Sequence, residues 1–315
     1  MGRVLDQVIG HQEIIQKMIS SFESGKPGQT YLFVGPSGIG KKIAAMGFAQ
    51  ALLCAESPRA CGRCGSCMRL EKGVHESFKV VVPGGVSILA PQAKEIIEFL
   101  SLKSLSRCRV VIIDQAQQLN LVAANLLLKT LEEPPEGTFF FLIAPSVAGI
   151  LPTIRSRSRI VQFQPLRVQD LAQKSQAPLW ALKSARGSFE KLSHLQDSGE
   201  QELRGKSVEV LKLFISDPYF LLNEGWRLEF KDRAQALEII SYWVGFLRDA
   251  VCLQEGAKDQ IVNLDQAVLL KDLAELKRSF LLDMAERSLK VEQALLSNRD
   301  PQLVMEEFYI QHRPS

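Results

Sequence analysis

The chain has 315 residues, 46% of them hydrophobic and 23% charged, with a net charge of +3. These ordinary globular proportions provide for a sizeable core and exclude wholesale disorder. At roughly 150 residues per domain the length suits two or three domains. The charge is uneven: residues 1–165 carry 18 basic and 12 acidic side chains, residues 166–315 carry 20 and 23. The front part is therefore basic enough to face phosphate, although a solvated surface is the simpler reading of such counts. The longest apolar runs, such as Phe139–Ala144, fall far short of the ~20 residues of a membrane helix. The first residues also lack the apolar stretch of a signal peptide. A soluble, cytoplasmic protein with no membrane partner is expected.

Apolar strands alternate with helical segments through the first half. Tyr31–Val34 reads as a buried strand and Lys41–Leu53 as a helix. Phe78–Val82 is a second strand, ended by Pro83-Gly84-Gly85, and Pro91–Leu102 a helix striped by Ile96, Ile97, Phe99 and Leu100. Arg109–Ile113 is a third strand, and Leu119–Leu131 a helix stopped by Pro134-Pro135. Phe139–Ala144 and Ile160–Phe163 complete the set. Continuously apolar strands alternating with helices predict an α/β domain, a parallel five-stranded sheet with helices on both faces. After Gln164-Pro165 no further strand is expected. Residues 166–198 read as a small helical unit broken near Pro178 and Gly187-Ser188. Residues 199–315 read as a larger helical domain. Its stripes are Leu237, Ile240, Val244, Leu247 and Leu273, Leu276, Phe280, Leu281, and its breaks are Asp217-Pro218 and Asp300-Pro301.

Between the first strand and its helix lies Gly35-Pro36-Ser37-Gly38-Ile39-Gly40-Lys41-Lys42. A phosphate loop needs glycines so that backbone N–H groups reach the phosphate, a lysine as counter-charge, and a helix start. Gly35, Gly38, Gly40 and Lys41 meet these needs. The next position should be Ser or Thr, to ligate Mg²⁺; Lys42 has no hydroxyl and adds a competing charge. Asp114 at the carboxyl end of the third strand sits where a carboxylate helps hold Mg²⁺, although an Asp after a strand is also a common turn residue.

Six cysteines in a cytoplasmic chain argue against disulfides. Cys54, Cys61, Cys64 and Cys67 fall within 14 residues, and short Cys-x2-Cys spacings suit a closed tetrahedral site. Structural Zn²⁺ is expected there. An iron–sulfur cluster is the runner-up, and His75 is a substitute ligand should Cys54 stand aside. Cys108 and Cys252 are isolated. Arg155, Arg157 and Arg159 alternate before the fifth strand, and by composition alone they are a solvated basic turn.

Taken together, the Val8-Ile9-Gly10-His11 segment, the Gly-rich loop, the cysteine cluster, Leu131-Glu132-Glu133-Pro134-Pro135 and Thr153-Ile154-Arg155-Ser156-Arg157 resemble the AAA+ clamp-loader subunits of the bacterial DNA polymerase III holoenzyme. The likeness is strong over residues 1–165, weak over 166–196, and one of helical character beyond. It implies an AAA+ P-loop domain with an inserted zinc module at about 54–67, a small helical lid, and a helical collar that builds a hetero-pentameric ring. It implies tau/gamma motor subunits and delta as partners, with the sliding clamp and primer-template DNA handled by the complex. It also implies that Arg157, from an exposed edge, serves as an arginine finger in trans on ATP held by a neighbour.

Departures from the motor pattern are Lys42, Gln115 where hydrolysing AAA+ members carry Glu, Ser158 in place of Cys, and Glu190 in place of a phosphate-sensing Arg. Ala144-Pro145-Ser146 replaces a more usual Ala-Thr-Thr, leaving Ser146 as a candidate sensor. These departures favour a subunit that does not hydrolyse ATP, with ATP or ADP binding at Gly35–Lys41 left open. The alternative is an active motor of the tau/gamma type.

Overall fold

The structure, a computed structural model, describes residues 2–25, 28–102 and 106–312; Met1 and residues 313–315, the outer ends of the expected first and last domains, lie outside it. The chain forms two compact units. One comprises Met1–Ser175 with Arg186–Glu190, the other Gln176–Ala185 with Lys191–Ser315. The residues read as a small helical unit are thus divided between the two.

The first unit contains strands β1 (Thr30–Val34), β2 (Phe78–Val81), β3 (Arg109–Ile113), β4 (Thr138–Ala144) and β5 (Arg159–Gln162). Its helices are α1 (Gln12–Glu23), α2 (Lys41–Leu53), α3 (Gly65–Glu71), α4 (Ala90–Ser101), α5 (Leu121–Glu132), α6 (Pro152–Arg155) and α7 (Val168–Ala172). All strand pairs are parallel, in the order β2-β3-β4-β1-β5. The five expected strands are present, each within a residue of its expected ends. Their continuous apolar character follows from cover on both faces. On one face Leu32, Val111, Ile113, Phe140 and Leu142 pack with Ile96 and Leu100 of α4 and Leu127 and Leu131 of α5. On the other, Phe33 and Phe141 meet Phe48 of α2 at ring-centroid distances of 5.9 and 6.2 Å.

Phe22 of α1 closes edge-on against Phe48 at 5.9 Å. Sequence reading left α1 unassigned, although Ile14, Ile15, Met18, Ile19 and Phe22 recur at helical spacing. Helix α5 begins on Asn120, whose side chain accepts the Ala123 N–H at 2.8 Å. It ends at Glu132, before the two prolines.

The second unit is helical: α8 (Leu179–Ser184), most of α9 (Phe189–Leu195), α10 (Ser198–Ser216), α11 (Gly225–Glu229), α12 (Arg233–Gln254), α13 (Ala267–Ala274), α14 (Arg278–Leu296) and α15 (Pro301–His312). Asp217 ends α10, and Asp300 caps α15 by accepting the Leu303 N–H at 3.0 Å. Ile240, Trp243 and Leu247 of α12 lie at the centre of the core. The stripe Leu273–Leu281 is not one helix: Lys277 is extended (φ −60°, ψ 133°) and separates α13 from α14. Buried Arg204 stacks 3.8 Å over Trp180 of α8 and makes two bonds, 2.7 and 3.0 Å, to Asp265. That pairing compensates its desolvation. No described helix is long and apolar enough to cross a membrane.

Phe141→Ala should remove the ring shared by Phe33, Phe48 and Tyr31 and cost the first unit about 3–5 kcal/mol. Its urea midpoint should fall markedly. Leu222→Ala, on a side chain 79% exposed, should leave unfolding nearly unchanged.

Candidate functional site

Because the strands are parallel, the loop after β1 and Asp114 after β3 emerge from the same sheet edge, on either side of β4. Gly35, Gly38 and Gly40 take φ of +148°, +72° and +97°, so the loop has the turn that the glycines anticipate. Gly38 is also a point of close approach. A Cβ there would stand 2.3 Å from Ser188 Oγ and 2.6 Å from Glu190 Cβ, and the Phe189 N–H donates to the Gly38 carbonyl at 2.8 Å. The segment Arg186–Glu190 therefore lies directly over the loop.

Lys41 is buried, and its ammonium donates to the carbonyls of Gly35 and Pro36, both at 2.5 Å. Burial lowers its pKa, against the pull of Asp114 and Glu190. Lys42 forms an ion pair with Asp114 Oδ2 at 3.0 Å. An ammonium thus holds the carboxylate that would serve Mg²⁺, and the donor set does not fit that ion. Gln115 follows in a left-handed conformation (φ 54°) and donates its backbone N–H to Asp114 Oδ1 at 3.0 Å. Ser146 is exposed just beyond β4.

The four clustered cysteines converge. Cys54 and Cys64 sulfurs are 3.9 Å apart, those of Cys61 and Cys67 4.0 Å, and all four lie within 4.8 Å of one another. Four thiolates about 2.3 Å from one tetrahedral ion stand ~3.8 Å apart, so these residues could hold a single metal ion. Backbone N–H groups of Cys61, Cys64 and Cys67 point at the sulfurs of Cys54, Cys61 and Cys64 at 3.3, 3.3 and 3.5 Å, orienting them. Burial pushes the Cys64 thiol up, but the N–H groups of Cys67 and Ala55 together with the Cys67 and Cys61 side chains bring it down to about 6. Burial pushes Cys67 up.

Gly62 (φ +71°) makes the turn between the sulfurs with its Cα against the Gly2–Arg3 backbone. His75 is not a substitute ligand, because its ring is used elsewhere. Nδ1 accepts the Ser77 N–H at 3.0 Å, so Nε2 carries the proton and meets Ser66 Oγ at 2.8 Å.

The three arginines are not equivalent. Arg155 and Arg159 are exposed, whereas Arg157 is half-buried, against the expectation of an exposed edge. Its Nη2 pairs with Glu132 Oε1 at 3.0 Å, and its Nη1 donates to the Thr153 carbonyl at 2.9 Å. Glu132 stood in the sequence only as part of a helix-ending motif; nothing in the spacing announces a partner 25 positions away. The Lys42–Asp114 pair was equally unforeseen, though both residues had been singled out.

The profile of the family described as DNA polymerase III, delta subunit, matches residues 10–167, and that of DNA polymerase III, delta subunit, C terminal, matches residues 227–312. The chain is 29% identical over 264 residues to DNA polymerase III subunit delta' of Bacillus subtilis, covering 80% of each. It is 34% identical over 168 residues to DNA polymerase III subunit gamma/tau of Mycobacterium bovis, a match that takes in 51% of this chain and 28% of the relative. Among solved structures, a DNA polymerase III gamma subunit-related protein from Thermotoga maritima aligns over 95% of this chain and 98% of its own. The identity there is 18% and the TM-score 0.48.

Proposed function

Because the chain belongs to the family described as DNA polymerase III, delta subunit, we propose that it serves in DNA replication as the delta-prime-type subunit of the clamp loader, in the cytoplasm. It takes its place in a hetero-pentameric ring with tau/gamma motor subunits and delta, and the ring places a sliding clamp on primer-template DNA. The chain does not itself hydrolyse ATP. The observation that carries this is the Lys42–Asp114 ion pair, which puts an ammonium on the carboxylate that hydrolysis needs for Mg²⁺. Gln115 offers no base, and Glu190 brings a carboxylate to Gly38 and Lys41 in place of a guanidinium.

The chain acts through Arg157, which reaches the γ-phosphate of ATP bound by the adjacent motor subunit. A guanidinium suits that role because it is always charged and donates parallel hydrogen bonds. The motor reading draws on the likeness to gamma/tau, but that likeness takes in 51% of the chain, whereas the delta' likeness takes in 80%. Cys54, Cys61, Cys64 and Cys67 hold one structural Zn²⁺. Four protein ligands leave no open position for catalysis, and the close approach of the sulfurs favours one ion over a multi-iron cluster.

Elemental analysis should find about one zinc per chain by the four-ligand rule. Cys64→Ser should release it, and binding should weaken as the pH falls, since the thiolates must shed protons to ligate. The purified chain should turn over ATP no faster than its Lys41→Ala variant; hydrolysis well above that control would favour the motor reading. In the reconstituted ring, Arg157→Ala should leave zinc content and assembly intact yet slow hydrolysis at one interface, where an arginine finger is worth ~10³–10⁵ in rate in other systems. Arg155→Ala and Arg159→Ala should have smaller effects, and equal losses from all three would mean no special role for Arg157.

A further inference from the structure

Arg157 is held in a way that its proposed task does not require. Both terminal nitrogens are engaged: Nη2 by Glu132 Oε1 at 3.0 Å, Nη1 by the Thr153 carbonyl at 2.9 Å and Ser156 Oγ at 3.4 Å. Nε is buried and has no acceptor. A phosphate is gripped by two parallel N–H groups of one guanidinium; here the Nη1–Nη2 side is taken and on the other side Nε is buried, so neither is open to a phosphate. Glu132, for its part, is the last residue of α5. A carboxylate there faces the negative end of the helix dipole and is disfavoured unless a cation compensates it.

We propose that Glu132 is a positioning residue that parks Arg157, withholding the guanidinium until a neighbour's nucleotide competes for it. The inference rests on the trans-acting reading of Arg157. The terminal phosphate of ATP carries more charge than one carboxylate and offers oxygens in the geometry the guanidinium prefers, so it displaces Glu132 once the interface forms. Before that, the Glu132 pair keeps an unmatched cation from the unassembled edge and sets the ATP level at which the interface fires. The role is therefore a competition, and it should show in the ATP dependence of the rate and not in its ceiling.

The test uses the reconstituted ring carrying wild-type, Glu132→Gln, Glu133→Gln or Arg157→Ala versions of this chain. Subtracting the Arg157→Ala rate isolates the contribution of this interface. Glu132→Gln should lower the half-saturating ATP concentration there roughly two- to fivefold, the span expected for loss of a partly exposed ion pair, with the plateau rate unchanged. Glu133→Gln should leave both unchanged. A lower plateau at an unaltered half-saturation would make Glu132 an aid to the productive pose and overturn parking, as would no change at all. If Arg157→Ala itself left hydrolysis untouched, the trans-acting reading would fall and this inference with it. A loss with Arg157→Ala but no shift with Glu132→Gln would overturn parking alone.

Discussion

Burying both faces of the parallel sheet is the constraint from which the rest of the first unit follows. With α1 and α2 on one side and α4 and α5 on the other, the stretches Leu32–Val34, Val110–Ile113 and Phe139–Ala144 are entirely apolar and buried. The groups of the phosphate-type site are therefore displaced to the carboxyl ends of the strands. There the phosphate-type loop and Asp114 meet, because β4 alone separates their strands.

At those strand ends the charges are already matched within the chain. Lys41 is spent on two loop carbonyls, Lys42 on Asp114, and the Arg186–Glu190 segment covers Gly38. A loop satisfied by its own protein gains less from a bound triphosphate than one whose lysine awaits a partner. Arg157 and Glu132 show the same internal matching of charge, a guanidinium paired with a carboxylate of its own chain.

Much of this was legible beforehand. The strands announced themselves because doubly covered strands are continuously apolar, and the helix stops because proline and glycine punctuate the backbone. The cysteine spacing was legible for a similar reason: Cys-x2-Cys places its sulfurs by local turn geometry. Helix α1 was overlooked although its period was present, and the stripe from Leu273 to Leu281 was read as one helix because hydrophobic period does not reveal an extended residue such as Lys277.

By itself, then, the sequence determined the five strands, the phosphate-type loop, the set of four thiols and the family likeness, all of which rest on local backbone preference or short-range spacing. Only the tertiary structure decided that Lys42 lies on Asp114, 72 positions away, that His75 turns to Ser66 and Ser77 and not to the four cysteines, and that Arg157 rests on Glu132. Side-chain pairing across elements depends on how the helices and strands are set side by side, and that setting is the outcome of packing the whole core. No window of the sequence contains it.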